Sequence, residues 1–294
     1  MRMKRTMAAL AGATLALSLA ACGDDDGGDS PATVEENPEF ESGTTMAELA
    51  EAGTVTIGTK FDQPGFGLLG LGDEPEGFDV EVAKIIAGAL GIAEDDIDWE
   101  ESPSELREQL IEDGTVDFVV ATYTINDERK QRISFAGPYY NAGQMLMVQS
   151  DNDTITGPDD LKANPDQKVC SVTGSTPAEN IKQYLANADQ LVLFDVYDKC
   201  ADAMEDNQVQ VVTTDNVILA GFVSESDGEF KLVGEQFTEE PYGIGIKKGD
   251  VEFCEFINQT LQENEDAYLE AWDSTAGQIE GTERPELPEP DPCT

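Results

Sequence analysis

Two stretches of this chain are versions of one phrase. Glu112–Thr122 reads "EDGTVDFVVAT" and Glu205–Asp215 reads "EDNQVQVVTTD". Each is an acid pair leading through a polar turn into a β-branched, apolar strand that ends in small polar residues. Each follows a helical stretch, "SPSELREQLI" in the first case and "YDKCADAM" in the second. Upstream, "TVTIGT" at 54–59 matches "KVCSVTGST" at 168–176, which runs into the helical pattern "PAENIKQYLANA". Strands alternating with helices build parallel sheets, and a unit that occurs twice predicts two similar α/β lobes. Ligands of such sheets sit beyond the carboxyl ends of the strands. The strand ends therefore nominate Thr122 and Thr124 on one lobe and Asp215 on the other.

A chain of 294 residues is long enough for two such lobes. It carries 61 acidic and 17 basic side chains, a net charge of −44, and no histidine. So few cations build no basic patch, which excludes nucleic acid as a partner. The missing histidine removes Ser-His-Asp and Cys-His catalysis together with the commonest metal ligand, and no cofactor is called for. An acidic surface of this kind suits high salt, where screening is strong.

Residues 1–21 open with Arg2, Lys4 and Arg5 and continue through an apolar run to "LAAC". Basic start, short apolar stretch and small residues before a cleavage point are the marks of a signal peptide. The ending is similar to the lipobox of bacterial lipoproteins, in which Cys22 becomes the acylated first residue. Two or more acyl chains suffice for stable anchoring. Removing 1–21 takes away three cations and no acid, leaving −47. Residues 22–44, acid-rich and without period, read as a disordered tether. In an exported protein the four remaining cysteines are expected to pair. Of three possible pairings, Cys170–Cys200 and Cys254–Cys293 each join positions within one candidate lobe, and the second would tie down the Pro-rich tail "PELPEPDPC".

Sorted by chemistry, the strand ends make a constellation. Thr122 and Thr124 offer hydroxyls, and Arg129 in "NDER" can grip a carboxylate with its planar fork. Asn126 or Asp127 is placed to cap the helix expected there, with Lys130 and Arg132 facing solvent or nearby acids. The "VTGST" turn at 172–176 reads as an anion nest of backbone N–H groups. Asp215 supplies the opposite charge, so the set suits an α-amino acid. Taken alone, Arg129 reads better as a surface ion pair.

At this point the sequence resembles solute-binding protein family 3, the amino-acid-binding lipoproteins and periplasmic proteins that serve ABC importers. The resemblance runs from about Thr44 to Trp272. It rests on "GTKFDQPG", "GFDVEVAK", "VDFVVATYTINDERKQRISFAGPYY", "ITGPDDL", "CSVTGST", "TTDNVILAG" and "YGIGIKKGD". Within the family it looks most like the glutamate-binding lipoproteins of actinobacterial importers. The resemblance implies a type II periplasmic-binding fold: two Rossmann-like lobes, 45–143 plus 240–294 and 144–239, joined by two crossing strands near Ala142–Met145 and Glu239–Gly243.

It also implies roles. Arg129 would hold the α-carboxylate, Thr122 and Thr124 the amino and carboxylate groups, Ser175 and Thr176 would close from the second lobe, and Asp215 would take the ammonium. Family members specific for acidic ligands place an arginine where "SELREQLIEDGTVDF" has Arg107, and Lys60 matches a second cation. On the residues alone, Arg107 pairing with Glu101 or Glu108 and Lys60 in solvent remain open. Arg107, Lys60 and Arg129 would together form a positive island for an acidic amino acid, glutamate or aspartate, in preference to glutamine. Tyr197 lies opposite Ser104 in the internal alignment and would wall the pocket, while Phe61 and Tyr123 read either as core or as lining. The implied partners are the ligand, membrane permease subunits and the lipid anchor, with the protein itself a monomer. A competing class on the same fold, the exported cyclohexadienyl dehydratases, needs a general acid or base that no histidine here can supply.

Overall fold

The computed structural model describes residues 32–72 and 74–294. The signal-peptide reading, Cys22 and the first part of the acidic spacer lie outside the described residues. Helix α1 (Thr45–Ala52) starts where Thr44 Oγ1 accepts the Ala47 N–H and stops at Gly53, which takes the left-handed conformation at φ 72°. Strand β1 (Val55–Thr59) follows, then a small antiparallel sheet of β2 (Asp62–Gln63), β3 (Gly67–Leu69) and β4 (Pro75–Glu76). Next come α2 (Phe78–Ala89), β5 (Ile97–Glu101), α3 (Arg107–Glu112), β6 (Phe118–Val119) and β7 (Ser134–Ala142). The second half continues with β8 (Gln144–Gln149), β9 (Val169–Val172), α4 (Thr176–Asn180), β10 (Leu191–Phe194), α5 (Asp198–Glu205) and β11 (Val211–Asp215). It closes with α6 (Asn216–Glu225), β12 (Phe230–Val233), β13 (Glu240–Ile246), α7 (Val251–Glu263) and α8 (Glu265–Ser274).

The repeated phrase becomes a repeated topology. One five-stranded sheet has the order β5-β1-β6-β13-β7 and the other β10-β9-β11-β8-β12. In each, the first strand of the unit lies between two parallel neighbours: β1 between β5 and β6, β9 between β10 and β11. Strands β6 and β11, the ends of the two quoted phrases, therefore hold equivalent places. Each sheet is completed by an antiparallel strand just past a crossing: β8 beside β11 and β13 beside β6. The chain passes from the first sheet (lobe 1) to the second (lobe 2) at Gly143 and returns between β12 and β13. Gly143 is required there, since a Cβ would lie 2.5 Å from Gln236 Oε1 and 2.8 Å from the Thr238 carbonyl of the returning segment.

The core of lobe 1 sits directly beneath these crossings. Tyr140 of β7 stacks on Trp272 of α8 at 5.2 Å, and Phe78 of α2 meets the edge of the same indole at 5.1 Å. Each fully buried aromatic contributes on the order of 2–3 kcal/mol by area removed from water. The cluster thus fixes the strand that leads into the first crossing.

Both disulfides fall within lobes, as expected: Cys170–Cys200 joins β9 to α5 and Cys254–Cys293 joins α7 to the tail, with Cα atoms 5.7 and 5.8 Å apart. The tail also donates its Asp291 N–H to the Gly137 carbonyl at 2.8 Å. The tether reading needs a correction from residue 32 onward. The Glu35 N–H bonds the Gly88 carbonyl at 2.9 Å and Phe40 packs edge-on against Phe256 at 5.5 Å. Averaging over an acidic run hides single apolar anchors such as Phe40. Among the described residues, no helix is long and apolar enough to cross a membrane.

Candidate functional site

The carboxyl ends of the paired strands meet across a narrow cavity with only about 10 Å³ of free volume. That is far below the ~300–1,000 Å³ of drug-sized sites, so the lobes stand nearly closed on each other and even an amino acid enters only once they part. A wider depression of about 620 Å³ lies near Tyr140, Met145 and Glu283. The charged residues that line the wider one, Glu283, Arg284 and Glu286, are not buried, whereas Arg107, Arg129 and Asp215 of the smaller one are, so the smaller cavity is the candidate.

Lobe 1 supplies two guanidinium groups. Arg129 is buried, with Nη1 donating to the Thr124 carbonyl at 2.6 Å, Nη2 to the Gly174 carbonyl of lobe 2 at 3.1 Å, and Nε 3.3 Å from Glu108 Oε1. Arg107 Nη1 donates to the Ala121 carbonyl at 2.8 Å, and its buried Nε has no protein partner. Both guanidinium groups lie over the ring of Tyr123, at 4.2 and 4.9 Å. Burial, then the nearby charge of Arg107, lowers the Arg129 pKa to about 10. Asn126 Oδ1 accepts the Arg129 N–H at 2.9 Å just ahead of one 3₁₀ turn, Arg129–Gln131, whose N-cap position is Glu128, where a longer helix was expected. Lys130 and Arg132 point outward to Asp291 and Glu112.

Thr122 and Thr124 line the same wall. The Thr122 hydroxyl lies 2.9 Å from Gln63 Oε1 and 2.8 Å from the Ala121 carbonyl. Its N–H donates to Asp79 Oδ2 at 2.6 Å.

Lobe 2 faces this wall with Ser175, Thr176, Tyr197 and Asp215. Ser175 N-caps α4, its Oγ accepting the Ala178 N–H and donating to the Val172 carbonyl. Thr176 Oγ1 donates toward Glu240 Oε2 at 2.7 Å and lies 3.3 Å from Thr124 Oγ1 across the cavity. Asp215 Oδ2 accepts the Tyr242 hydroxyl at 2.7 Å, while its buried Oδ1 has no protein partner. Burial, followed by the charge of Glu240, raises the Asp215 pKa to about 8. The same burial, with Asp215 beside it, pushes Tyr197 up to about 12. At the cavity mouth Gly174, with φ 76°, packs so closely that a Cβ would sit 2.7 Å from Glu105 Cα of lobe 1.

Three of the nominated residues lie outside the cavity lining. Lys60 does not line the cavity: it is buried and paired with Asp62 at 3.2 Å, and Asp62 in turn accepts the Tyr197 N–H of lobe 2 at 2.6 Å. Phe61 is half-buried outside the lining, and Tyr123 lies in the core as the platform for both arginines. The nest is also reduced, because the Thr173 and Ser175 N–H groups bond the Phe194 and Val172 carbonyls, and Gly174 offers its carbonyl to Arg129. Nor is there a bare positive island. Lys60, Arg107 and Arg129 share the interior with Asp62, Asp79, Glu108, Asp215 and Glu240, all buried. Sequence reasoning missed Gln63 and Thr214 in the lining and Asp79 and Glu240 behind it. For Asp79 a signal existed, an acid inside the apolar helical run "GFDVEVAK".

Two α/β lobes, crossed twice by the chain and enclosing a small cavity with both signs of buried charge, define a two-lobed receptor for a small molecule. The chain belongs to the bacterial extracellular solute-binding proteins, family 3, whose model matches residues 55–270, and the fold is that family's type II periplasmic-binding fold. It is 40% identical over 270 residues to the glutamate-binding protein GluB of Corynebacterium efficiens, covering 88% of this chain and 85% of that one. It is 35% identical to the ABC transporter glutamine-binding protein GlnH of Bacillus subtilis, covering 83% of this chain and 86% of that one. Among solved structures it is similar to an ancestral amino acid-binding protein, a precursor of cyclohexadienyl dehydratase. That match has a TM-score of 0.72 at 27% identity and covers 79% of this chain and 99% of that one.

Proposed function

We propose that this chain is the substrate-binding subunit of an ABC importer, anchored through Cys22 outside the membrane after loss of residues 1–21. It captures an acidic amino acid, glutamate or aspartate, and delivers it to the permease. The observation that carries the reading is one cavity between the lobes lined by two guanidinium groups and by a carboxylate with an unpartnered oxygen. The relative named for glutamate supports it.

In this reading Arg129, Thr122 and Thr124 take the α-carboxylate and amino group from lobe 1 (45–143 plus 240–294). Ser175, Thr176 and Asp215 close from lobe 2 (144–239), Asp215 on the ammonium. Arg107 takes the side-chain carboxylate, Tyr197 walls the pocket and Lys60 acts from behind through its charge. Closure favours the bound form only through contacts made by both lobes, so the lobe-2 groups convert occupancy into shape. Micromolar affinity needs ~8 kcal/mol, which for ten non-hydrogen atoms is ~0.8 kcal/mol each, inside the known ceiling. Calorimetric titration of the purified mature chain with glutamate, aspartate, glutamine and asparagine tests the proposal. Tightest binding of an acidic member is expected, and heat from none of the four would refute it.

A glutamine-preferring protein is the second reading, favoured by the excess of buried carboxylates over buried cations and by the glutamine-binding relative. The same titration separates the two. A dehydratase is the third, since a carboxyl raised toward neutrality in a cleft suits acid-base chemistry. Turnover of a prephenate-like substrate by pure protein would establish it.

A further inference from the structure

Asp79 is the second residue of α2, fully buried, and does not line the cavity. Both of its oxygens accept short hydrogen bonds: Oδ2 from the Thr122 N–H and Oδ1 from the Tyr139 hydroxyl, each at 2.6 Å. Thr122 has φ 43°. The other described non-glycine residues with positive φ are Asn37, Asn207 and Asp227, types that tolerate the left-handed region. A β-branched threonine does not, so something must hold it there.

The consequences run to both arginines. The carbonyl just before Thr122, that of Ala121, anchors Arg107 at 2.8 Å, and the carbonyl two residues after it, that of Thr124, anchors Arg129 at 2.6 Å. The backbone conformation at Thr122 therefore sets where both guanidinium groups stand.

We propose that Asp79 is a positioning residue for the ligand cavity: it pins the Thr122 amide, holds that residue in the left-handed conformation, and so fixes the anchors of Arg107 and Arg129 without touching ligand. The inference rests on the amino-acid reading of the cavity for its binding readout, and has a second readout that does not.

Three variants test it in the mature chain. Asp79→Leu keeps the size and removes both acceptors, Asp79→Asn keeps an acceptor oxygen, and Tyr139→Phe removes only the other bond. Glutamate and glutamine affinities are measured by calorimetry, thermal midpoints by circular dichroism, and Thr122 amide exchange by NMR. Asp79→Leu is expected to weaken both ligands by ~100-fold or more, Asp79→Asn by less than ~10-fold and Tyr139→Phe by less than ~3-fold, even where the midpoint falls. The Thr122 amide should be protected in the wild type, Asp79→Asn and Tyr139→Phe, and exchange freely in Asp79→Leu.

If Asp79→Leu does not fold, a cycle with Thr122→Gly replaces it, because glycine takes positive φ unaided. Asp79→Asn should then add no loss in the glycine background, and an additive loss overturns the proposal. It is overturned equally if Asp79→Leu leaves affinity and Thr122 exchange unchanged, or if Tyr139→Phe costs as much affinity. Should the wild type bind no amino acid, the proposed function fails, and Thr122 exchange alone decides the role of Asp79.

Discussion

Replacing Arg107 by methionine removes a cavity-lining charge while keeping a side chain of comparable reach. In the ligand-free protein the change loses the bond to the Ala121 carbonyl and the contact with the Tyr123 face. It also relieves a buried cation whose charge lowers the pKa of Lys60 and of Arg129. These gains and losses occur with and without ligand, so they cancel in affinity and surface only in the thermal midpoint. What remains is the partner of the ligand's side chain. Leaving a buried carboxylate without its cation costs ~3–5 kcal/mol, whereas losing one hydrogen bond to a neutral amide costs ~1 kcal/mol. Glutamate affinity should therefore fall by ~100-fold or more and glutamine affinity by ~10-fold or less, with every 1.4 kcal/mol counting tenfold. Paired calorimetric titrations at neutral pH read both numbers. Equal losses for the two ligands would refute the assignment of Arg107 to the side chain, whatever happens to stability.

Arg129→Ala should weaken all four amino acids together by ~100-fold or more, because the α-carboxylate is common to them; selective loss of one would contradict its role. The pH dependence of stability follows from Asp79, raised to about 7 by burial, and Asp215, raised to about 8. Asp79 faces Thr122, Tyr139 and Arg107, and Asp215 faces Tyr242, Glu240, Arg129 and Arg107. A carboxyl whose folded pKa is raised favours the folded state while protonated, and that contribution is lost as pH rises through the folded value. The ligand-free midpoint should fall from pH 5 to 8, with a slope of up to about 1.4 kcal/mol per unit for each group, and Asp79→Asn with Asp215→Asn should flatten it. Trp272→Ala, which empties the aromatic cluster under the first crossing, should cost ~3–5 kcal/mol in urea unfolding.

The fold was legible because its evidence is local and doubled. Each half announces strand, helix and strand by composition, and the strand-end rule led from Thr122, Thr124 and Asp215 to the cavity. Arg129 was within reach for the same reason, since it follows the strand end, whereas Arg107 was carried only by the resemblance of "SELREQLIEDGTVDF" to the family's pattern. What escaped depends on partners distant in sequence. Glu240 gains meaning only from Thr176 and Asn180, which the crossing brings beside it. Asp79 gains it from Thr122. The pairing of Lys60 had a local signal, since in "KFD" the cation and Asp62 are only two residues apart. The spacer failed in the opposite way, because mean composition cannot register one well-placed ring such as Phe40.

Both ends of the described chain are sewn to lobe 1, residues 32–40 through Gly88 and Phe256 and the tail through Cys293 and Gly137. Lobe 2 is an insertion, reached only at Gly143 and again ahead of Glu240. A pull on either terminus is therefore borne by one half of the molecule, and the other hangs from it like a gate on two pins. Any fixture at the amino end therefore acts on lobe 1 as the post, and the gate is latched to it by bonds across the cavity such as Arg129–Gly174 and Asp62–Tyr197.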